Sequence, residues 1–423
     1  MRFKCPHCQS VLQSDEVQGG ISVDCPACGR EFVCEELKQK PKVTIAGDSD
    51  DTVKPAELAA KARDLLIDSI GIEKLQGFSL GKLFSEVFGR HEKGEVENAF
   101  TVGVPATTPD IADVDASWPR PWLFMRMLFA SVVLYLLFLF AWERTGVTNM
   151  LPGLISVGSF AIPISTLVFF FEINVRKNVS LYQVVKLFFL GGALGLVFTC
   201  GLTYWLGDLI GEKAFGAVAA GPIEETAKLL AVIGVARWAR YRYKVNGLLF
   251  GAAVGAGFAA FESAGYALSA CLDGVGEASF AAAQADVLEE AEATFAYGFL
   301  RTMSKTKQLI LMRGALSPFG HVVWTAIACA ALWRVKGAKP FEAGMLLQGK
   351  FLRLFLVPVF FHMIWNSSLK LPVLDSERGV PYGKYLLLGV LAWIVILSLL
   401  QEGLREIREE KEACGTREKE TDE

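Results

Sequence analysis

The sequence predicts an all-α polytopic membrane protein with about eight transmembrane helices, preceded by a small cysteine-rich module. The mean hydropathy of the 423-residue chain is +0.37, although 21% of its residues are charged. The charged residues are concentrated in the N-terminal third, in the connections and in the C-terminal tail, which is typical of an apolar membrane domain with solvated ends. The net charge of −3 and the lack of a basic stripe predict no nucleic-acid partner.

Composition divides the chain into four predicted regions. They are a module at 1–36, a polar linker at 37–121, a membrane domain at 122–402 and a charged tail at 403–423. Apolar patches between Pro55 and Arg90 predict one or two amphipathic helices in the linker, and its proline-rich end is typical of a connection. No cleavable signal peptide is evident, because Met1–Phe3 leads directly into the cysteine-rich segment.

Two Cys-x-x-Cys pairs lie in the N-terminal module, Cys5–Cys8 and Cys25–Cys28. Four thiolates at this spacing can close a tetrahedral shell around one zinc ion, and so small a module needs such a staple in order to fold. We therefore predict a zinc ribbon in which Cys5, Cys8, Cys25 and Cys28 bind a structural zinc. A redox dithiol is the alternative.

Apolar runs recur from Trp122 onward, each close to the ~20 residues that a spanning helix needs. Eight runs are predicted as spans: 122–142, 151–173, 184–206, 214–236, 246–271, 309–334, 351–370 and 382–401. The connection 272–308 is predicted as a long outward-facing loop. It would form a solvated helix over the membrane surface or, alternatively, a lid.

Eight spans place both termini on one side of the membrane, and the positive-inside rule makes that side the cytoplasm. Cations follow the even-numbered spans: Arg176 and Lys177; Arg237, Arg240, Arg242 and Lys244; Arg334, Lys336 and Lys339; Arg405, Arg408 and Lys411. We therefore expect a multi-pass protein of the cell inner membrane with both termini in the cytoplasm.

The stretch Gly221–Lys228 places two carboxylates and an ammonium within the fourth apolar run. A charge at membrane depth costs roughly 2.5–3.5 kcal/mol on insertion scales and usually marks function. The Gly-Pro pair that opens the stretch is typical of a helix start. Glu224 and Lys228 are four residues apart and can pair, with Lys228 in a supporting role, which leaves Glu225 for other work. A purely structural ion pair is the alternative.

Three further apolar segments carry ionisable groups. The fifth span contains Glu262, the sixth begins with Arg313 and His321, and the seventh carries His362 and Asn366 on one helical face. Arg313 is predicted to support the acids and histidines. Because several apolar spans carry such groups, a shared site explains them better than separate packing residues do.

Four of these residues lie roughly six to twelve residues from the outer ends of their spans: Glu225, Glu262, His321 and His362. At ~1.5 Å of helix per residue, they can therefore share one layer in the outer half of the bilayer. A glutamate in that setting can act as general base to a water, while the histidines and Asn366 move protons or hold the oxyanion. The same side chains could instead bind a catalytic metal, although no His-Glu-x-x-His motif is present. A proton-coupled carrier or another non-proteolytic membrane protein is the runner-up function.

Four motifs over roughly residues 125–400 resemble, in order and spacing, those of the PrsW family of intramembrane proteases. This family is related to the CAAX prenyl endopeptidases and the bacteriocin-immunity proteins. The motifs are Glu224-Glu225-x-x-Lys228, Phe258-x-x-x-Glu262, Arg313…Pro318-x-x-His321-x-x-Trp324 and His362-x-x-Trp365-Asn366.

The resemblance implies a helical protease of glutamic type in which Glu224 and Glu225 activate water, and it makes His362 and Asn366 the oxyanion-stabilising pair. Members of the family cut membrane-anchored proteins, including anti-sigma factors, near the outer face, so such proteins and the lipid bilayer are the expected partners. Ser263 stands where Asn is expected. The zinc ribbon lies outside the protease core and suggests a cytoplasmic partner.

Overall fold

The computed structural model describes residues 2–4, 11–13, 22–25, 31–33, 55–73, 75–210, 216–236, 241–369 and 383–421. The chain divides into two compact units, Met1–Val53 and Lys54–Glu423. Paired strands make up the described part of the first unit, and helices dominate the second.

The first unit contains two antiparallel strand pairs. Strand β1 (Arg2–Lys4) pairs with β2 (Val11–Gln13), and β3 (Ser22–Asp24) pairs with β4 (Glu31–Val33). Cys25, directly after β3, is buried. The other three predicted zinc ligands lie outside the described residues, so the zinc ribbon stays a prediction.

Thirteen α-helices form the described part of the second unit. They are α1 (Pro55–Ile70), α2 (Leu80–Leu83), α3 (Lys93–Phe100), α4 (Leu123–Thr145), α5 (Leu151–Glu172), α6 (Leu181–Lys186), α7 (Gly192–Ile210), α8 (Ala220–Ala236), α9 (Lys244–Ala282), α10 (Leu288–Leu316), α11 (His321–Lys336), α12 (Gly349–Asn366) and α13 (Gly383–Thr421). A π-helical turn, Leu187–Gly191, joins α6 to α7, and a 3-10 turn, Ser317–Phe319, joins α10 to α11.

Six helical stretches of the described chain are long and apolar enough to cross a membrane, which confirms the all-α polytopic fold. They are Leu123–Thr145, Thr148–Glu172, Leu181–Trp205, Lys244–Ala282, Leu288–Lys336 and Gly383–Cys414. The other two predicted spans, 214–236 and 351–370, correspond to α8 and α12, which have 17 and 18 residues. These two shorter helices carry buried ionisable side chains, so they depend on neighbouring helices for their place in an apolar environment.

Helix α9 forms the centre of the bundle, and every residue from Val245 to Ala260 is buried. It packs closely on α11, because a side chain at Gly251 or Gly255 would collide with a backbone carbonyl of that helix. At Gly255 the carbonyl belongs to His321. The glycines therefore allow the backbone contact that sets the position of His321, as the small residues of this span predicted.

The segment 55–121 packs against one end of the helical bundle. Its backbone carbonyls accept hydrogen bonds from three arginines and a lysine of the bundle, and these bonds attach the segment to the membrane domain. The contacts are Arg176 to Pro109, Arg334 to Gly71 at 2.6 Å, Arg408 to Ala116 at 2.9 Å and Lys411 to Val114 at 3.1 Å.

The segment 272–308 is helical, as one of the two expectations had it, but it is not a connection separate from the neighbouring spans. Helices α9 and α10 continue through this segment and are separated only by residues 283–287. They form an antiparallel hairpin in which Gly274 lies against Thr302 and Gly298 against Ala278. The alanine-rich and glutamate-rich composition has high helix propensity, and small residues allow the two helices to pack without a broad apolar face.

The contact at Gly255 gives a first prediction. Gly255→Ala should destabilise the folded protein by about 1–3 kcal/mol, because the added methyl group overpacks the α9–α11 contact. Thermal unfolding of the purified protein in detergent would measure the loss. Gly265→Ala is the matched control in the same helix, where nothing lies within 4 Å, and should stabilise by roughly 0.5–1 kcal/mol. Equal effects of the two substitutions would contradict the close contact.

Candidate active site

Helix α8 brings the two glutamates and the lysine of Gly221–Lys228 into the bundle. It begins at Ala220 and lies close to α12, since a side chain at Gly221 would meet Met363. Glu225 and Lys228 are completely buried, and Glu224 is almost so. An unpaired charge in that setting would be very costly, so the partners of these groups determine the local structure.

Lys228 is the centre of the buried charges. Its ammonium lies 2.6 Å from Glu225 Oε1 and 3.7 Å from Glu224 Oε2. The closest carboxylate is therefore that of Glu225 rather than the predicted Glu224, because residues three apart also share a helical face. The ammonium also lies 4.5 Å from the ring centre of Phe258 on α9, in a cation–π contact.

His362 on α12 contacts both glutamates. Its Nδ1 lies 3.0 Å from Glu225 Oε1, and its Nε2 lies 3.9 Å from Glu224 Oε2. An ionised carboxylate only accepts hydrogen bonds, so Nδ1 carries the proton and donates to Glu225. The lone pair of Nε2 then faces Glu224.

His321, the first residue of α11, is held in the same way by a different carboxylate. Its Nε2 lies 3.1 Å from Glu262 Oε2 and donates to it, while Nδ1 lies 3.9 Å from Glu224 Oε2. The Lys228 ammonium lies 3.0 Å from this Nδ1, which accepts its hydrogen bond. The lone pairs of the two histidines thus lie near the same carboxylate oxygen, Glu224 Oε2.

Arg313 joins the site from the last turn of α10. Its guanidinium lies 2.5 Å from Glu262 Oε2 and donates to Ser263 Oγ at 3.0 Å. The serine that departs from the expected Asn is therefore part of the hydrogen bonding around Glu262. Arg313 holds Glu262 against His321 and so acts on the histidine through the carboxylate.

Of the site residues predicted in the membrane domain, the structure brings together all except Asn366. The amide of Asn366 donates to the carbonyl of Ala217 at 3.1 Å, in the turn that precedes α8. The Asn366 side chain therefore holds the turn from which helix α8 begins. The oxyanion-stabilising role of Asn366 stays a prediction.

The donor atoms of Glu224, His321 and His362 all lie within 4.8 Å of one another. Two histidines and one glutamate are a known ligand set of catalytic zinc, whose tetrahedral ligands would lie about 3.4 Å apart. Glu224 Oε2 is buried without a hydrogen-bond partner among the described residues. Metal-binding histidines usually donate their other N–H to a carboxylate, as both do here. The residues fit a divalent metal ion.

Aromatic residues that the sequence reasoning did not assign to the site surround the histidines. The Trp324 ring centre lies 4.8 Å from that of His362 and 5.2 Å from that of Trp365, which stacks edge-on against Tyr385. Both tryptophans belong to the sequence motifs named above, where each follows a site histidine by three residues, but no role was assigned to them. Tyr385 is distant in sequence and gave no signal.

A cavity of about 210 Å³ adjoins this cluster. It is lined by His321, Arg313 and Ser263 on the polar side and by Trp324, Trp365 and Tyr385 among its apolar walls. The cavity gives an apolar segment access to the histidine and arginine without exposing the Lys228–Glu225 pair.

The buried pair gives a second prediction. Lys228→Met should destabilise the protein by about 3–5 kcal/mol, because Glu225 is left as an uncompensated buried charge. Glu225→Gln/Lys228→Met should recover at least half of that loss in thermal unfolding. Lys307→Met is the matched control: it breaks a more exposed pair with Glu143 and should cost at most about 1 kcal/mol. A double variant as unstable as the sum of the single variants would contradict the coupling.

The sequence profile of a known family matches residues 180–400, more than half of the chain and the part that contains every site residue described above. The family is described as PrsW family intramembrane metalloprotease. No curated protein and no solved structure matches the chain. The carboxylates and histidines of the buried cluster and the extent of the profile match agree: the chain belongs to the PrsW family of intramembrane metalloproteases and is a peptidase.

Proposed function

We propose that this peptidase cuts peptide bonds of membrane-anchored proteins near the outer face of the membrane. The observation that carries the proposal is the buried set of Glu224, His321 and His362, in which a separate carboxylate orients each histidine. Such orientation fixes the tautomers before substrate arrives and lowers the reorganisation that the reaction requires. Membership of the family favours this function over the proton-coupled carrier.

Glu224, His321 and His362 would hold a catalytic zinc ion. Zinc bound by two histidines and a glutamate supplies an acidic water and a Lewis acid for the scissile carbonyl. Glu225 and Glu262 position the two histidines through hydrogen bonds of 3.0 and 3.1 Å. The three carboxylates outnumber the cations Lys228 and Arg313, so an added cation is electrostatically favourable.

In the alternative without a catalytic metal, the Glu224–Glu225 pair would supply the carboxylate that takes the proton from the attacking water. Each of these glutamates keeps one oxygen without a hydrogen-bond partner within the described chain. In that alternative, His362 contacts both glutamates and His321 contacts Glu224, so these rings could pass the proton onward to the leaving amine. A glutamic mechanism would use these residues with no catalytic metal.

The lining of the cavity beside His321 favours a membrane-anchored protein as the substrate. Its walls combine Trp324, Trp365 and Tyr385 with the polar Arg313 and Ser263. An unwound apolar segment could place a side chain against the aromatic rings while its backbone reaches the polar groups. Anti-sigma factors are one class of substrate that fits this description, as the family resemblance implies.

We place both termini in the cytoplasm of a cell whose inner membrane holds the protein. Three arginines contact the 55–121 segment and therefore lie at the same end of the bundle: Arg176, Arg334 and Arg408. The positive-inside rule assigns that end to the cytoplasm. The zinc ribbon then lies in a reducing compartment, where its thiolates can bind a structural zinc and the module can recruit a cytoplasmic partner.

The metal site gives a third prediction. In proteoliposomes with a panel of single-span proteins, Glu224→Gln and His362→Ala should each lower cleavage by at least about a thousandfold. A zinc chelator should abolish wild-type cleavage, and added zinc should restore it. Glu290→Gln, the same change on the exposed α9–α10 hairpin, should cut at the wild-type rate.

The full-length Cys5→Ser/Cys25→Ser variant separates the two zinc sites. With a catalytic metal in place, cleavage by the cysteine variant stays sensitive to the chelator. The His362→Ala variant should contain about one zinc ion per chain less than the wild type. Cleavage that survives chelation in the cysteine variant but is lost in Glu224→Gln would overturn the metal assignment and support the glutamic mechanism.

A further inference from the structure

A charged cavity of about 390 Å³ lies on the side of the bundle where α9 and α12 begin and α11 ends. Along α12, its lining residue Lys350 precedes His362 by twelve residues, which is about 18 Å of helix, so the cavity is separate from the candidate active site. Cations dominate its lining. They are Lys244, Arg334, Lys350, Arg353 and Arg405, against the two carboxylates of Glu73 and Glu402.

The carboxylates of the cavity are already paired. Glu73 pairs with Arg405, and Glu402 lies 3.4 Å from Arg334 and 4.0 Å from Lys244. These contacts join α1, α9, α11 and α13, and they explain three of the five cations as parts of the fold. The ion pairs of Glu73 and Glu402 do not include the other two cations of the cavity, Lys350 and Arg353.

Lys350 and Arg353 are exposed, and within the part of the chain that the structure describes they form no ion pair. Both lie within the first five residues of α12, close to the helix end where the dipole disfavours positive charge. They therefore do not stabilise their own helix. Lys244 also pairs with Glu406, and Arg405 with Glu409. Among the described residues, the charges of Lys350 and Arg353 are therefore the uncompensated ones in this cavity, and they fit an anionic ligand.

An exposed apolar stripe continues from these cations along α12. Leu352, Leu356 and Phe360 are spaced by four residues, and they are 38%, 41% and 53% exposed. Side chains at this spacing lie above one another on the helix and form a continuous track. A free phosphate would use only the cavity, whereas an amphiphile would cover both the cations and the stripe.

We propose that this cavity binds the phosphate group of an anionic phospholipid. Lys350 and Arg353 contact the phosphate, and an acyl chain lies along Leu352, Leu356 and Phe360. Basic pockets between transmembrane helices at the cytoplasmic face favour such headgroups, and each cation near the surface strengthens the attraction. The binding does not depend on the peptidase reaction.

The experiment titrates the purified full-length protein in a neutral detergent with phosphatidylglycerol or phosphatidylcholine and follows thermal unfolding by tryptophan fluorescence. Phosphatidylglycerol should raise the apparent Tm, and phosphatidylcholine should not. Lys350→Gln/Arg353→Gln should weaken the response to phosphatidylglycerol about thirtyfold in concentration. Lys82→Gln/Lys186→Gln removes the same charge from two exposed lysines outside the cavity and should respond like the wild type.

An equal response to both lipids, or an unchanged response in Lys350→Gln/Arg353→Gln, would overturn the proposal. Inorganic phosphate that reproduces the full shift in the wild type would assign the site to a free anion instead and also overturn it. If the double variant does not fold, native mass spectrometry of the wild type decides. Selective retention of phosphatidylglycerol supports the site, and equal retention of both lipids contradicts it.

Discussion

The rest of the second unit depends on one interaction, the fully buried contact of the Lys228 ammonium with the Glu225 carboxylate. Neither charge can leave water unless its partner and further polar contacts are already in place. His321 supplies such a contact to the lysine, and His362 supplies one to the glutamate. Helices α8, α11 and α12 must therefore pack with these side chains in register. In a lipid environment, where apolar packing between helices provides little driving force, this polar cluster fixes positions that hydrophobicity leaves free.

Hydropathy and residue depth were sufficient to predict the helical membrane fold and the meeting of Glu262, His321 and His362 with the glutamates of α8. Groups at equal depth in adjacent antiparallel spans can approach one another whatever the details of packing. Depth does not specify the rotation of a helix about its axis. The closer contact of Lys228 with Glu225 and the bond from Asn366 to a turn carbonyl both depend on that rotation, which tertiary packing decides. For the segment 272–308, charge predicts a separate solvated helix, whereas helix propensity continues from both neighbouring spans, so the segment extends α9 and α10 into a hairpin.

The same cluster explains why a metal ion and Lys228 have to be considered together. The lone pair of His321 Nδ1 can either accept a hydrogen bond from Lys228 or bind a metal ion. In the structure, the Lys228 ammonium lies 3.0 Å from this nitrogen. A shift of the lysine toward its shorter contact with Glu225 would free that lone pair and leave Glu225 neutralised. The ammonium would then continue to balance the glutamate that positions His362. Under the proposed function, Lys228 thus keeps the second carboxylate from competing with Glu224 for the metal.

Helix α12 connects the two parts of the molecule for which we propose ligands. Its first five residues include Lys350 and Arg353, and Pro358 lies between them and His362. A proline inside a helix removes one backbone hydrogen bond and makes a bend less costly at that point. A phospholipid bound at the start of α12 would restrain the segment before Pro358, whereas the contacts of His362 with Glu224 and Glu225 restrain the segment after it. If both proposals hold, a change in helix direction at Pro358 would be the route by which lipid binding alters the distance from His362 Nε2 to Glu224 Oε2.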